Sequence, residues 1–130
     1  MTPEAGDYLA KGRQALKEAR AVAAIGLPEA AGRAAYLAAY HAAQAFIFDG
    51  TGKIAKTHSG VRSEFARLAK DDLRIDRAFP AFLAQAYNLK AVADYAIGSD
   101  VGVTIAEVEH AIAMAERFID CISHLIERSA

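Results

Sequence analysis

The chain has 130 residues, with 15 Lys or Arg against 16 Asp or Glu and a single cysteine. That length supports one domain with its own core, here residues 1–130, and the balanced charge excludes a strong whole-molecule field that would hold nucleic acid non-specifically. Cys121 has no second cysteine to pair with, so an intramolecular disulfide is excluded and a reducing compartment fits.

Alanine fills 31 positions, and its high helix propensity and small side chain favour closely packed helices. No segment alternates apolar and polar residues over strand length, so the expected class is all-α. Helix one is predicted from Pro3 to Ile25, with Thr2 as cap and Pro3 at the first helical position. Its apolar stripe is Tyr8, Ala15, Ala19 and Val22, and Gly26-Leu27-Pro28 ends it. Helix two, Pro28 to Phe48, is apolar nearly all round; between Arg33 and Phe48 only His41, Gln44 and the tyrosines carry polar groups. A helix without a polar face is a central one. Asp49-Gly50-Thr51-Gly52-Lys53 then reads as a loop.

Helix three is predicted over His58 to Lys70, capped by Thr57, and a charged connection runs from Asp71 to Asp76. Helix four covers Phe79 to Ala96, with Phe79, Phe82, Leu83, Ala86, Leu89 and Ala93 on one face. A loop spans Gly98 to Gly102. Helix five, Thr104 to Glu127, places Ile105, Val108, Ile112, Ala115, Ile119, Ile122 and Ile126 at alternating four- and three-residue steps, a coiled-coil-like seam. The sum is an up-and-down four-helix bundle with one additional shorter helix. The N-terminus carries no basic segment followed by an apolar run, and no stretch of about 18 apolar residues could span a bilayer. A soluble, cytoplasmic protein with no membrane partner is the expectation.

The polar residues that packing does not require fall in two blocks, Lys56-Thr57-His58-Ser59-Gly60-Val61 and Asn88 to Tyr95. Gly50-Thr51-Gly52-Lys53 resembles a phosphate loop only superficially, because the preceding strand and the full glycine spacing are missing. The start of helix three is a better candidate. Free N–H groups and the positive dipole end attract anions there, with Lys53, Lys56 and His58 adding charge and Thr57 and Ser59 adding hydroxyls. Simple capping by Thr57 and Ser59 explains the same residues. On helix four, Lys90 and Asp94 are spaced to pair across one turn beside Asn88 and Tyr95. His41 reads as a hydrogen-bonded core residue with Gln44 and Arg33 as neighbours. Glu107-x-x-His110 resembles half of a di-iron site, but no second such pair exists, so no metal or other cofactor is expected.

Ala35-Tyr36-Leu37-Ala38-Ala39-Tyr40-His41-Ala42-Ala43-Gln44-Ala45 resembles the aromatic-rich second helix of small prokaryotic HEPN-domain proteins. The Lys56–Val61 and Lys90–Tyr95 segments resemble that family's two other recurrent blocks, in the same order, and the likeness covers about residues 8 to 126. It implies a homodimeric HEPN-like bundle, often encoded beside a minimal nucleotidyltransferase, in a group that includes toxin–antitoxin components, RNA-processing nucleases and nucleotide binders. Nuclease members resemble one another in an Arg-x(4–6)-His motif on a late helix. Here Lys90 stands at the arginine position, and Asp94-Tyr95 follow where a histidine would be. Lysine keeps the charge without the bidentate fork, and the acid–base group is lost. Arg117 and His124 fit the pattern but share the outward face of helix five.

The leading expectation is therefore a HEPN-domain binding component of a nucleotidyltransferase-linked, toxin–antitoxin-like module, recognising nucleotide or RNA phosphate through Lys56, Thr57, His58, Ser59, Lys90, Asp94 and Tyr95. The alternative enzyme is a metal-independent ribonuclease using His58 or His41 for proton transfer and Arg33 or Lys90 for phosphate. The third reading is a helical bundle with no ligand site.

Overall fold

The computed structural model describes residues 2–95 and 102–128. Five helices account for nearly all of them: α1 (Pro3–Ala24), α2 (Pro28–Thr51), α3 (His58–Ala69), α4 (Ala78–Tyr95) and α5 (Ile105–Arg128). Ala96 and positions 98–101 of the expected second loop lie outside the described residues.

Local chemistry sets the boundaries. The Thr2 hydroxyl accepts from the Ala5 N–H at 3.1 Å, with Pro3 next to it, which fixes the start of α1. Gly26 turns the chain at φ 78°, a conformation that costs glycine little. Thr104 and Glu107 cap α5 reciprocally: the Glu107 carboxylate accepts from the Thr104 N–H at 3.1 Å, and the Thr104 hydroxyl accepts from the Glu107 N–H at 3.2 Å. Glu107 is thus a capping residue, and among the described residues no group of three or more His, Cys, Asp or Glu could hold a metal.

One boundary differs from the expectation. α2 does not stop at Phe48 but continues through Asp49, Gly50 and Thr51. The Thr51 hydroxyl donates back to the Ile47 carbonyl at 2.8 Å, and Gly52, at φ 71°, ends the helix with its N–H on the Phe48 carbonyl. Asp-Gly favours a turn in isolation, but the side-chain bond and the left-handed cap move the stop by one turn.

α2 is the central element, contacting each of the other four helices. α1 lies antiparallel to it, with Tyr8 against Phe48 and Gly12 against Ala38 and Ala42. α5 runs antiparallel to α1, pairing Arg13 with Ser123 and Arg20 with Glu116. The small side chains of α2 let these backbones approach. Ala31, Ala35, Ala38, Ala39, Ala42, Ala43 and Ala45 are all completely buried. The larger volume is filled elsewhere by an aromatic cluster: Phe118 of α5 lies 5.1 Å from Phe65, 5.2 Å from Phe79 and 6.4 Å from Phe82. Each such ring contributes roughly 1.5–3 kcal/mol by leaving water.

The α5 seam is buried at Val108, Ala115, Ile119, Ile122 and Ile126, but Ile112 is only partly buried and Ile105 is 40% exposed at the helix start. Phe118 and Leu125 are buried beside it, so the packed face is wider than a strict coiled-coil seam. No helix among the described residues is long and apolar enough to cross a membrane.

Candidate functional site

Along α2, Arg33, Tyr36, Tyr40 and Gln44 follow one another at steps of three, four and four, which puts them on a single stripe. Each holds a different part of the chain. Arg33 Nε donates to Asp94 Oδ1 of α4 at 2.5 Å, and Tyr36 meets His58 Nδ1 at the start of α3 at 2.7 Å. Tyr40 donates to the Lys56 carbonyl and Gln44 to the Ala55 carbonyl, both at 3.2 Å. The ladder ties α2 to α4, α3 and the linker before α3, satisfying polar groups that burial would otherwise strand.

His58 sits at the centre of an aromatic nest. Its ring is 4.8 Å from Tyr40, 5.5 Å from Tyr36 and 5.7 Å from Tyr87 of α4. Thr57 caps α3, its hydroxyl accepting from the Gly60 N–H at 2.9 Å. A Cβ on residue 60 would stand 2.6 Å from that hydroxyl oxygen, so glycine is what lets the cap close.

Arg62, one turn on from His58, lies with its guanidinium carbon 4.0 Å from the centre of the Tyr87 ring. Its Nη1 is shielded from solvent and has no hydrogen-bond partner among the described residues. Nor does this half-buried arginine form an ion pair among them. Three residues along α4 from Tyr87, Lys90 Nζ is 2.7 Å from Asp94 Oδ2, so Asp94 bridges Lys90 and Arg33.

The electrostatics follow from this crowding. Burial, then the positive charges of Lys90 and Arg62, push the His58 imidazole below its usual 6.5. The Tyr36 phenol is pushed up to about 12, chiefly by burial, against the opposing charge of Arg62. It therefore keeps its proton at neutral pH and shares a hydrogen bond with a neutral imidazole. The Asp94 carboxylate is held below the usual range by its bonds to Lys90 and Arg33.

These shifts predict a pH dependence. The unfolded chain takes up a proton at His58 near 6.5, whereas the folded imidazole does so only at lower pH. The folded state thus binds fewer protons in that window, and stability falls as pH drops below about 6.5. His41 acts in the same direction, its pKa lowered mainly by burial. Urea midpoints measured at about pH 7.5 and 5.5 are expected to fall in the wild type and to fall less in His58→Gln. Asp94, Glu64 and Asp72, held below the usual range by their bonded partners, lose their contribution only as pH falls below their unfolded values of about 4.

The structure brings His58, Lys90 and Asp94 together, as the two sequence blocks suggest. Thr57 stands at the edge as the α3 cap. Lys56 contributes its main-chain carbonyl to the ladder. Ser59 is exposed, and Tyr95 is 78% exposed at the end of α4. His41 belongs to a different neighbourhood: its Nδ1 bonds Gln44 Oε1 at 2.8 Å, as expected, and it feels Lys11 of α1. Arg33 is not its neighbour in that network but pairs with Asp94. Arg62, Tyr36, Tyr40 and Tyr87 complete the site beyond the residues chosen from sequence. Arg62 is four residues after His58 and Tyr87 three before Lys90, spacings that place each on the face of a chosen residue.

Glu107 and His110 line a separate groove between α4 and α5, with Gln85 and Leu89. Arg117 of the distant Arg–His match contacts Asp76 at 3.3 Å, and His124 is exposed. Cys121 is half-buried, its thiol pushed up by burial, and it donates to the Arg74 carbonyl at 3.6 Å.

An all-helical bundle with a basic and aromatic cluster at the α2–α3–α4 junction defines the class. Residues 5–125 match the HEPN domain, and the chain belongs to that family. No curated protein matches the sequence.

Proposed function

We propose that this HEPN domain is a binding component that recognises the phosphate of a nucleotide or RNA, acting within a nucleotidyltransferase-linked, toxin–antitoxin-like module. The observation that carries the reading is Arg62. Among the described residues no carboxylate is near enough to pair with this half-buried guanidinium, which acts on His58 together with Lys90 and is stacked on Tyr87. Keeping an unpaired charge partly out of water is costly, and an anionic ligand would offset that cost. Arginine also matches phosphate geometry in a way that the lysine at position 90 does not.

The His58 ring is held by Tyr36 through Nδ1 and sits near two cations, Arg62 and Lys90, a setting that suits a phosphate oxygen. Lys56, Ser59 and Tyr95 surround this centre as exposed residues suited to a partner protein or a second copy of the chain.

Fluorescence titration with a short oligoribonucleotide and with adenosine monophosphate tests the reading. Arg62→Ala is expected to weaken binding about 10- to 100-fold, the range for losing charge-assisted hydrogen bonds. Lys17→Ala, on the exposed face of α1, is expected to have little effect. Equal losses from both variants, or none from Arg62→Ala, would reject the site. Cleavage of the RNA that disappears in His58→Ala would favour the ribonuclease instead. Sedimentation of the free chain tests the homodimer.

A further inference from the structure

The same site carries a finer inference, which rests on the reading that it takes phosphate. We propose that it selects a terminal phosphate monoester, the end of a mononucleotide or of a phosphorylated RNA chain, over an internal phosphodiester, and that Asp94 enforces the choice.

Charge is the first reason. Arg33, Arg62 and Lys90 are cations, and among the described residues Asp94 is the one carboxylate bonded to any of them. Two positive charges are therefore left uncompensated by the described residues, beside a neutral imidazole. A phosphate monoester carries about −1.5 to −2 at neutral pH and balances them. An internal diester, with a single charge, leaves one behind.

Donor geometry is the second. The Tyr87 ring is the common wall: His58 packs against it at 5.7 Å and Arg62 at 4.0 Å, and Lys90 follows it by one turn of α4. Three polar groups thus border one patch, namely the His58 imidazole, the Arg62 guanidinium and the Lys90 ammonium. A terminal phosphate offers three unesterified oxygens, whereas a diester offers two.

Asp94 supplies the discrimination. Both of its oxygens are already engaged, one on Arg33 at 2.5 Å and the other on Lys90 at 2.7 Å. A ligand that draws Lys90 away must outcompete a well-placed carboxylate. A dianion does so; a singly charged diester replaces one such contact with another and gains little.

The test uses the full chain and short RNAs of identical sequence ending in a 5′-phosphate, a 3′-phosphate or only hydroxyls, with adenosine monophosphate and adenosine as competitors. Phosphate-ended RNA is expected to bind about tenfold more tightly than hydroxyl-ended RNA. Competition by adenosine monophosphate but not adenosine identifies a mononucleotide as sufficient. Competition by neither, with the end preference retained, identifies the RNA terminus. Asp94→Asn is expected to strengthen binding of hydroxyl-ended RNA and shrink the preference to about twofold or less. The wild-type comparison stands without that variant, whose fold is checked by circular dichroism. Equal binding of all three RNAs, still lost in Arg62→Ala, overturns the terminal selection while leaving phosphate recognition intact. Absence of binding to every probe overturns both. An unchanged preference in folded Asp94→Asn removes the carboxylate's part.

Discussion

Phe118→Ala is expected to lower the unfolding free energy by about 3–5 kcal/mol, the largest stability loss from any single truncation considered for this fold. The ring is completely buried and touches Phe65 of α3 and Phe79 and Phe82 of α4. It is therefore the point at which three helices meet through side chains rather than through close backbones. Removing it leaves a cavity walled by large rings. Those rings cannot all move inward, because they are fixed on two different helices. Urea unfolding followed by circular dichroism should show the midpoint falling with little change in slope. A melting temperature lower by roughly 10–20 °C would accompany it. A loss under about 1 kcal/mol would mean that the cluster collapses to fill the gap.

Gly12→Val is expected to cost about 2–3 kcal/mol for the opposite reason, too much volume rather than too little. A Cβ at position 12 would lie 2.9 Å from the Ala38 carbonyl oxygen and 3.4 Å from the Ala42 nitrogen, both backbone atoms of α2. No rotamer change can relieve a clash with backbone, so α1 must move outward. Valine adds two further carbons at the same contact. The higher helix propensity of any residue other than proline offsets only part of this, because glycine within a helix costs about 1 kcal/mol. Gly50→Ala supplies the contrast, since a Cβ added there would have nothing within 4 Å. In the same urea experiment that variant should be neutral or slightly stabilising. Equal behaviour of the two variants would show that the α1–α2 contact is looser than its geometry indicates.

Much of the bundle can be read from sequence because its signals are local. Thr2-Pro3, Thr57 and the Thr104–Glu107 pair mark helix starts by their own chemistry, and the α5 seam declares its period along the whole helix. The end of α2 cannot be read in this way. Asp49-Gly50 favours a turn, and only the Thr51 bond to Ile47 and the left-handed Gly52 show where the helix stops. His58, Lys90 and Asp94 are legible as polar residues without a packing role. Tyr36 and Tyr40 are not, because aromatic rings at helical spacing read as core, and their hydroxyl partners lie 22 and 16 residues away. Arg62 is hidden by Ser63 and Glu64, which make its stretch look like a solvated face. Its lack of a carboxylate partner among the described residues is a property of three helices together, which no local pattern records.

The ladder on α2 has a consequence for how this protein can vary. Successive rungs grip positions 55 and 56 of the linker and position 58 at the start of α3, so the length of that segment is metered against the pitch of the helix. Inserting or deleting a single residue between Gly52 and Thr57 would slide partners off their rungs and carry His58 out of reach of Tyr36. Surface connections elsewhere tolerate such changes, but here the spacer is a ruler, and relatives that keep the tyrosines should keep its length.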